Sequence, residues 1–253
     1  MKNRWLFALV SLLACGLTAA PAAADISARY ELQDSQPSFD MTMTLEIDAG
    51  GNERIQMTQQ AGYMLVLNEV TYLVARGPTG VYVARLDDLV TVMGEAAKRM
   101  GFADELANMP KSDQEKPPVL ASMGSKLING RAGTAYGISD KRARPVFALF
   151  VISSDPKLAP LGAAFVKSFA QSSSYANKMF PGLGTLTQMF GPNIEVLGKG
   201  APLSMLSMNL TDVSFAEIDD SRFTLPAKPL TIDEIRQQYE NFPTPPTLPS
   251  RDK

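Results

Sequence analysis

Residues Phe39–Asp48 read F-D-M-T-M-T-L-E-I-D, an almost uninterrupted alternation of apolar and polar side chains. Phe39, Met41, Met43, Leu45 and Ile47 fall on one side of an extended chain, and Asp40, Thr42, Thr44, Glu46 and Asp48 on the other. Only a strand sends successive side chains to opposite faces, so the stretch predicts a sheet with one dry face and one wet face. Whatever else the chain contains must cover that dry face.

The flanking residues extend the pattern. Ile26–Gln33 alternates in the same way, and Ala49-Gly50-Gly51-Asn52 is a turn that folds Phe39–Asp48 onto Glu53–Thr58. Tyr63–Leu67, Val70–Ala75 and Val81–Ala84 follow, separated by Asn68-Glu69 and Gly77-Pro78-Thr79-Gly80. Short strands joined by tight turns predict an antiparallel meander. From Leu86 the period changes to a helical one, with Leu89, Met93, Ala96, Ala97 and Met100 on one face and Asp87 and Asp88 in the first turn. Pro110–Pro118 is a polar loop that ends this region.

Strands are expected again at Lys126–Ser139, with a turn at Asn129-Gly130, and at Pro145–Ser153. Asp155-Pro156 marks a helix start, with Leu158, Leu161, Phe165 and Phe169 on one face. The serines at 172–174 are expected to interrupt that helix, and Tyr175–Phe190 forms a second apolar piece broken by Pro181, Gly182 and Gly184. The last strands are Ile194–Leu197, Leu203–Asp212 and Val213–Phe215; in the middle one Leu206, Met208 and Leu210 form the apolar side. Thr231-Ile232-Asp233-Glu234 fits a capping box opening a short helix, and a Pro-rich tail follows it.

The expected fold is therefore α+β: a single large antiparallel sheet, curled and unclosed, around helices. One domain spans residues 25–230, with helical insertions near 86–118 and 156–190, followed by the helix and tail at 231–253.

Residues 1–24 carry Lys2 and Arg4, then the apolar run Trp5–Leu17, then Ala22-Ala23-Ala24, the layout of a secretory signal peptide. The run is shorter than the roughly 20 residues a membrane-spanning helix needs, so no span is expected in the mature chain. Cleavage after Ala24 predicts an exported periplasmic protein. Leu12-Leu13-Ala14-Cys15-Gly16 offers an alternative, because it resembles the lipobox of bacterial lipoproteins, with lipidation at Cys15 and anchorage in the outer membrane.

Composition narrows the chemistry. Loss of the leader takes the formal charge from −2 to −4, and no basic cluster stands out, which argues against nucleic acid as a partner. The chain has no histidine and its only cysteine is Cys15, removing the commonest general base and the usual metal ligands. A serine hydrolase would need a serine–lysine pair, and Ser122 and Lys126 stand four apart rather than three. Gly182-Leu183-Gly184 lacks the third glycine of a dinucleotide fingerprint. The pairs Asp87-Asp88 and Asp219-Asp220 point apart on a helix or strand and do not have calcium-loop spacing. No catalytic residue, metal or cofactor is expected.

The order and pattern of these segments resemble the LolA/LolB-like superfamily of bacterial envelope proteins. The resemblance rests on the leader, M-T-M-T-L-E-I-D followed by G-N-E-R-I-Q-M, Ile128–Ile138 (I-N-G-R-A-G-T-A-Y-G-I), and Phe223-Thr224-Leu225-Pro226 within Asp219–Ala227. It is closer to the exported relatives of that superfamily than to its lipoprotein carriers. It implies a half-barrel with helices on its concave face and an apolar cavity that in some members holds acyl chains. Met41, Met43, Leu45, Ile47, Met57, Leu206, Met208 and Leu210 are then the residues expected to line a hydrophobic ligand such as a lipid; methionine suits such a surface. A packed core has the same pattern, and the alternative function is a non-catalytic module with a filled core that binds another envelope protein.

Overall fold

The computed structural model describes residues 25–32, 41–58, 60–77, 80–100, 120–139, 145–179, 194–205 and 207–240. The leader with Cys15, Phe39, the Pro110–Pro118 loop, Gly182 and Gly184, Leu206 and the Pro-rich tail lie outside them.

Among the described residues, eleven strands form one antiparallel, unclosed sheet. Six come first: β1 (Ile26–Leu32), β2 (Thr42–Ile47), β3 (Glu53–Met57), β4 (Gly62–Leu67), β5 (Val70–Gly77) and β6 (Gly80–Arg85). They pair in chain order as the expected meander. The turn chemistry is specific: Asn68 and Glu69 both take positive φ, +48° and +67°, which lets a two-residue connection follow the twist of β4 and β5. After helix α1 (Leu86–Arg99) come β7 (Leu120–Ile128), β8 (Arg131–Ser139) and β9 (Pro145–Ser153). Asn129-Gly130 makes the same kind of turn between β7 and β8. Strand β7 starts six residues before the expected Lys126, and the ladder is shifted between Ser122 and Ser125 around Gly124, whose φ is +93°.

Helix α2 runs over Ala159–Met179, preceded by a 3-10 turn whose cap is Asp155; the carboxylate accepts from the Lys157 amide at 3.0 Å. The serines do not interrupt it. Ser172 donates its hydroxyl to the Ser168 carbonyl at 2.8 Å, one turn back, so its polar group is satisfied inside the helix. Residues 194–197, expected as a strand, form a helical turn instead.

The expected strand Leu203–Asp212 is in fact a hairpin, β10 (Ala201–Met205) and β11 (Met208–Ser214). Met205 pairs with Met208 across a tight connection in which Ser207 takes a φ of +74°. The order β6-β5-β4-β3-β2-β1-β11-β10-β9-β8-β7 places the first and last strands side by side in mid-sheet. Among the described residues the β10–β11 ladder holds Ser204↔Asn209 and Met205↔Met208. Side chains take over beyond it: Asn129 donates to the Leu210 carbonyl at 2.8 Å and the Tyr30 hydroxyl to the Pro202 carbonyl at 2.9 Å.

The main core lies between the sheet and α2, where Leu158, Leu161, Ala164 and Phe165 are buried and Phe169 partly so. α1 packs against α2 and against α3 (Ile232–Glu240). This second neighbour changes the buried side of α1: Leu89, Val90, Val92, Gly94 and Ala97 are buried, whereas Met93 and Met100 are exposed. Leu89 and Val92 share a cluster with Ile235 of α3. The capping box is formed, with Glu234 accepting from the Thr231 amide at 2.7 Å and the Glu234 amide donating to the Thr231 hydroxyl at 3.3 Å.

The second face of β2–β6 is not simply wet. Leu65, Val74 and Val83 are covered there by Phe223, with Ile218 and Leu225 beside it. The Arg222 guanidinium grips Glu46 at 2.7 and 3.1 Å, and Arg54 stacks on the Tyr63 ring at 3.4 Å. The residues that alternate away from α2 thus receive their own cover, from a segment nearly 200 positions downstream of β1.

Candidate functional site

Five of the eight expected lining residues meet in one buried cluster: Met43, Leu45, Ile47, Met208 and Leu210. Met41 and Met57 are partly buried against it. Ladder register explains the grouping, since Met43↔Met57 and Leu45↔Ile55 align β2 with β3, and Tyr30↔Leu210 and Leu32↔Met208 align β1 with β11. Side chains of α2 join the same cluster; Phe165 meets the buried Tyr30 edge to face at 5.4 Å. Leu206 and Cys15 lie outside the described residues.

A cleft of about 530 Å³ opens elsewhere, between α2, the end of β9 and the turn at 197–200. Three backbones touch to build it. A Cβ on Gly162 would fall 2.6 Å from the Gly200 carbonyl oxygen, and one on Gly200 would fall 2.1 Å from that of Ser153. Only glycine permits these approaches, and they lock helix, turn and strand together. Ala159, Ala163 and Val166 line the helix side and Leu197 the opposite one. Ser153, Ser154 and Asp155 stand at the start of the helix, and Lys167 and Lys199 complete the wall.

Both lysines are held. Lys199 lies 4.8 Å above the Tyr136 ring and 4.0 Å from Glu195. Lys167 reaches Glu53 Oε1 at 3.4 Å, leaving the buried Oε2 with no hydrogen-bond partner among the described residues. Glu53 is only 4% exposed, opposite Ile47 on β2 and Val66 on β4. Burial pushes its carboxyl above the ordinary value, and Lys167 opposes that push. Sequence reasoning passed over Glu53, although it shares the parity of Ile55 and Met57 and so belongs to the face under α2. Further along α2 the Thr71 hydroxyl donates to the Gln171 side-chain carbonyl at 3.1 Å, a second polar tie across the same interface.

The other motifs have structural places. Asp87 is in the first turn of α1 and pairs with Lys178 near the end of α2; Asp219 caps a 3-10 turn by accepting from Ser221. Among the described residues a serine–lysine pair at the hydrolase spacing does occur, Ser154 and Lys157, which sequence reasoning overlooked. Both side chains are exposed, and among the described residues no hydrogen bond joins them. No helix of the described residues is long and apolar enough to cross a membrane.

No family model matches the chain, and neither a curated protein nor a solved structure was found to be similar to it.

Proposed function

We propose that this is an exported envelope protein of LolA/LolB-like type that binds a hydrophobic ligand, a lipid or acyl chain, without catalysing a reaction on it. The observation that carries the reading is the 530 Å³ cleft, within the range of about 300–1,000 Å³ usual for small-molecule sites, in which an apolar wall of Pro156, Ala159, Ala163, Val166 and Leu197 is flanked by as many polar side chains, two of them lysines. The ligand site is then this cleft rather than the methionine-bearing face, where α2 already supplies the apolar partner. The exported form is the periplasmic one cleaved after Ala24, with the Cys15-lipidated form as its alternative.

A second reading, a non-catalytic module for another envelope protein, draws support from that same burial of Met43, Leu45 and Met208 under a helix. Native mass spectrometry of protein purified from an envelope fraction, followed by solvent extraction, separates the two. The intact mass reports the processing at Ala24 or Cys15. A releasable adduct of lipid size supports the ligand reading. A clean mass, with no uptake of added fatty acid or phospholipid, transfers the case to the interaction module.

A further inference from the structure

We infer that the cleft takes a single-chain amphiphile with an anionic head, and that Lys167 reads the head by exchanging Glu53 for the ligand's acid. This deepens the ligand reading above and rests on it.

The cleft is polarised along its length. Ala159, Ala163 and Val166 recur at helical spacing on one side of α2 and lead to Lys167. At 1.5 Å per residue the path from Ala159 to Lys167 is about 12 Å, long enough to lay an alkyl chain on the apolar stripe with its head at the lysine. The acid of the cleft, Asp155, lies at the far end, where its carboxylate already accepts from the Lys157 amide. Of the two lysines of the cleft, Lys199 is taken up by the Tyr136 ring and Glu195, which leaves Lys167, the lysine remote from Asp155, to direct the ligand's head.

Lys167 is suited to the exchange. Its side chain is 33% exposed, and it makes a single contact to Glu53 at 3.4 Å rather than a bidentate one. Glu53 has apolar ladder partners, Ile47 and Val66, and a second oxygen without a partner among the described residues, so the pair is incompletely satisfied. An anion arriving in the cleft gives Lys167 a new partner, and the buried Glu53 carboxylate then takes up one proton from solvent.

The test measures binding of dodecanoate and dodecanol, equal in chain and different in head, to the full mature protein. Dodecanoate is expected to bind about tenfold or more tightly than dodecanol, the scale of a charge-assisted contact. Lys167→Met should bring the two ligands level, and Lys167→Arg should restore the preference. Glu53→Gln, which releases Lys167, should tighten dodecanoate and leave dodecanol unchanged. Equal binding of the two ligands to wild type, a preference that survives Lys167→Met, or a loss of dodecanoate binding in Glu53→Gln overturns the headgroup inference while leaving the ligand reading standing. Ala163→Trp, at an exposed position of α2, blocks the cleft and should abolish both ligands. If neither ligand binds wild type, or if both still bind Ala163→Trp, the cleft is not the site and the underlying reading falls with the inference.

Discussion

Tyr30 and Glu53 are the two buried groups whose chemistry is most exposed to test. Tyr30 is fully buried, packs edge to face on Phe165 and donates its hydroxyl to the Pro202 carbonyl. Burial raises its phenol well above the ordinary value, so it is a neutral donor throughout the accessible pH range. Tyr30→Phe keeps the ring and strands one carbonyl; urea denaturation should show a loss of about 1–2 kcal/mol. Glu53 yields a prediction in pH. Its folded carboxyl lies above the ordinary value of 4.5, so the folded state binds that proton more tightly than the unfolded one. The stability this group contributes is full below 4.5 and is lost as pH rises from there through the raised value. Glu53→Gln should therefore gain on wild type as the pH climbs from 4.5 toward neutrality, measured as the difference between their denaturation free energies. The exposed carboxyls of Glu95 and Glu234, held low by Arg236 and by Thr231, act in the opposite sense and cancel in that difference. The face on which Glu53 stands was legible from alternation alone; its depth was not, because burial there depends on α2, more than 100 residues away.

Among elements, α2 was legible where its apolar spacing spoke and illegible where its polar residues did. Leu158, Leu161 and Phe165 stand inside as their period requires, and Phe165→Ala should cost about 3–5 kcal/mol of stability, seen as a lowered urea midpoint with an unchanged slope. The serine run predicted a break because serine competes for backbone hydrogen bonds, but the Ser172-to-Ser168 bond spends that competition within the helix. Met43→Asp places a charge in the cluster beneath the same helix, and circular dichroism should show the protein unfolded. α3 is a smaller test: Thr231→Ala removes one side of the capping box and should cost about 0.5–2 kcal/mol. The β10–β11 hairpin was invisible for a different reason. Leu206, Met208 and Leu210 alternate correctly for one long strand, and alternation carries no mark of a reversal at Ser207, which is neither glycine nor asparagine. The rotated burial of α1 likewise comes from a second neighbour, α3, that a single-helix pattern cannot announce.

For the molecule as a whole, the meander β1–β6 follows from local turns, and the sequence placed each of its strands to within two or three residues. The position of β11 beside β1 did not follow, because nothing local distinguishes that pairing from a simple continuation. Nor did the cleft, which exists only where Gly162, Gly200 and Ser153 approach one another. The adjacency of β1 and β11 carries a consequence for how the molecule comes into being. Tyr30 and its partner Pro202 are separated by 172 residues. A chain that emerges N-terminus first can complete the meander early, through neighbours close in sequence, yet β1 must wait with a bare edge until the last strand arrives. That interval, rather than the finished fold, is when the protein is most open to pairing with a stranger, and a holding chaperone would find its target there.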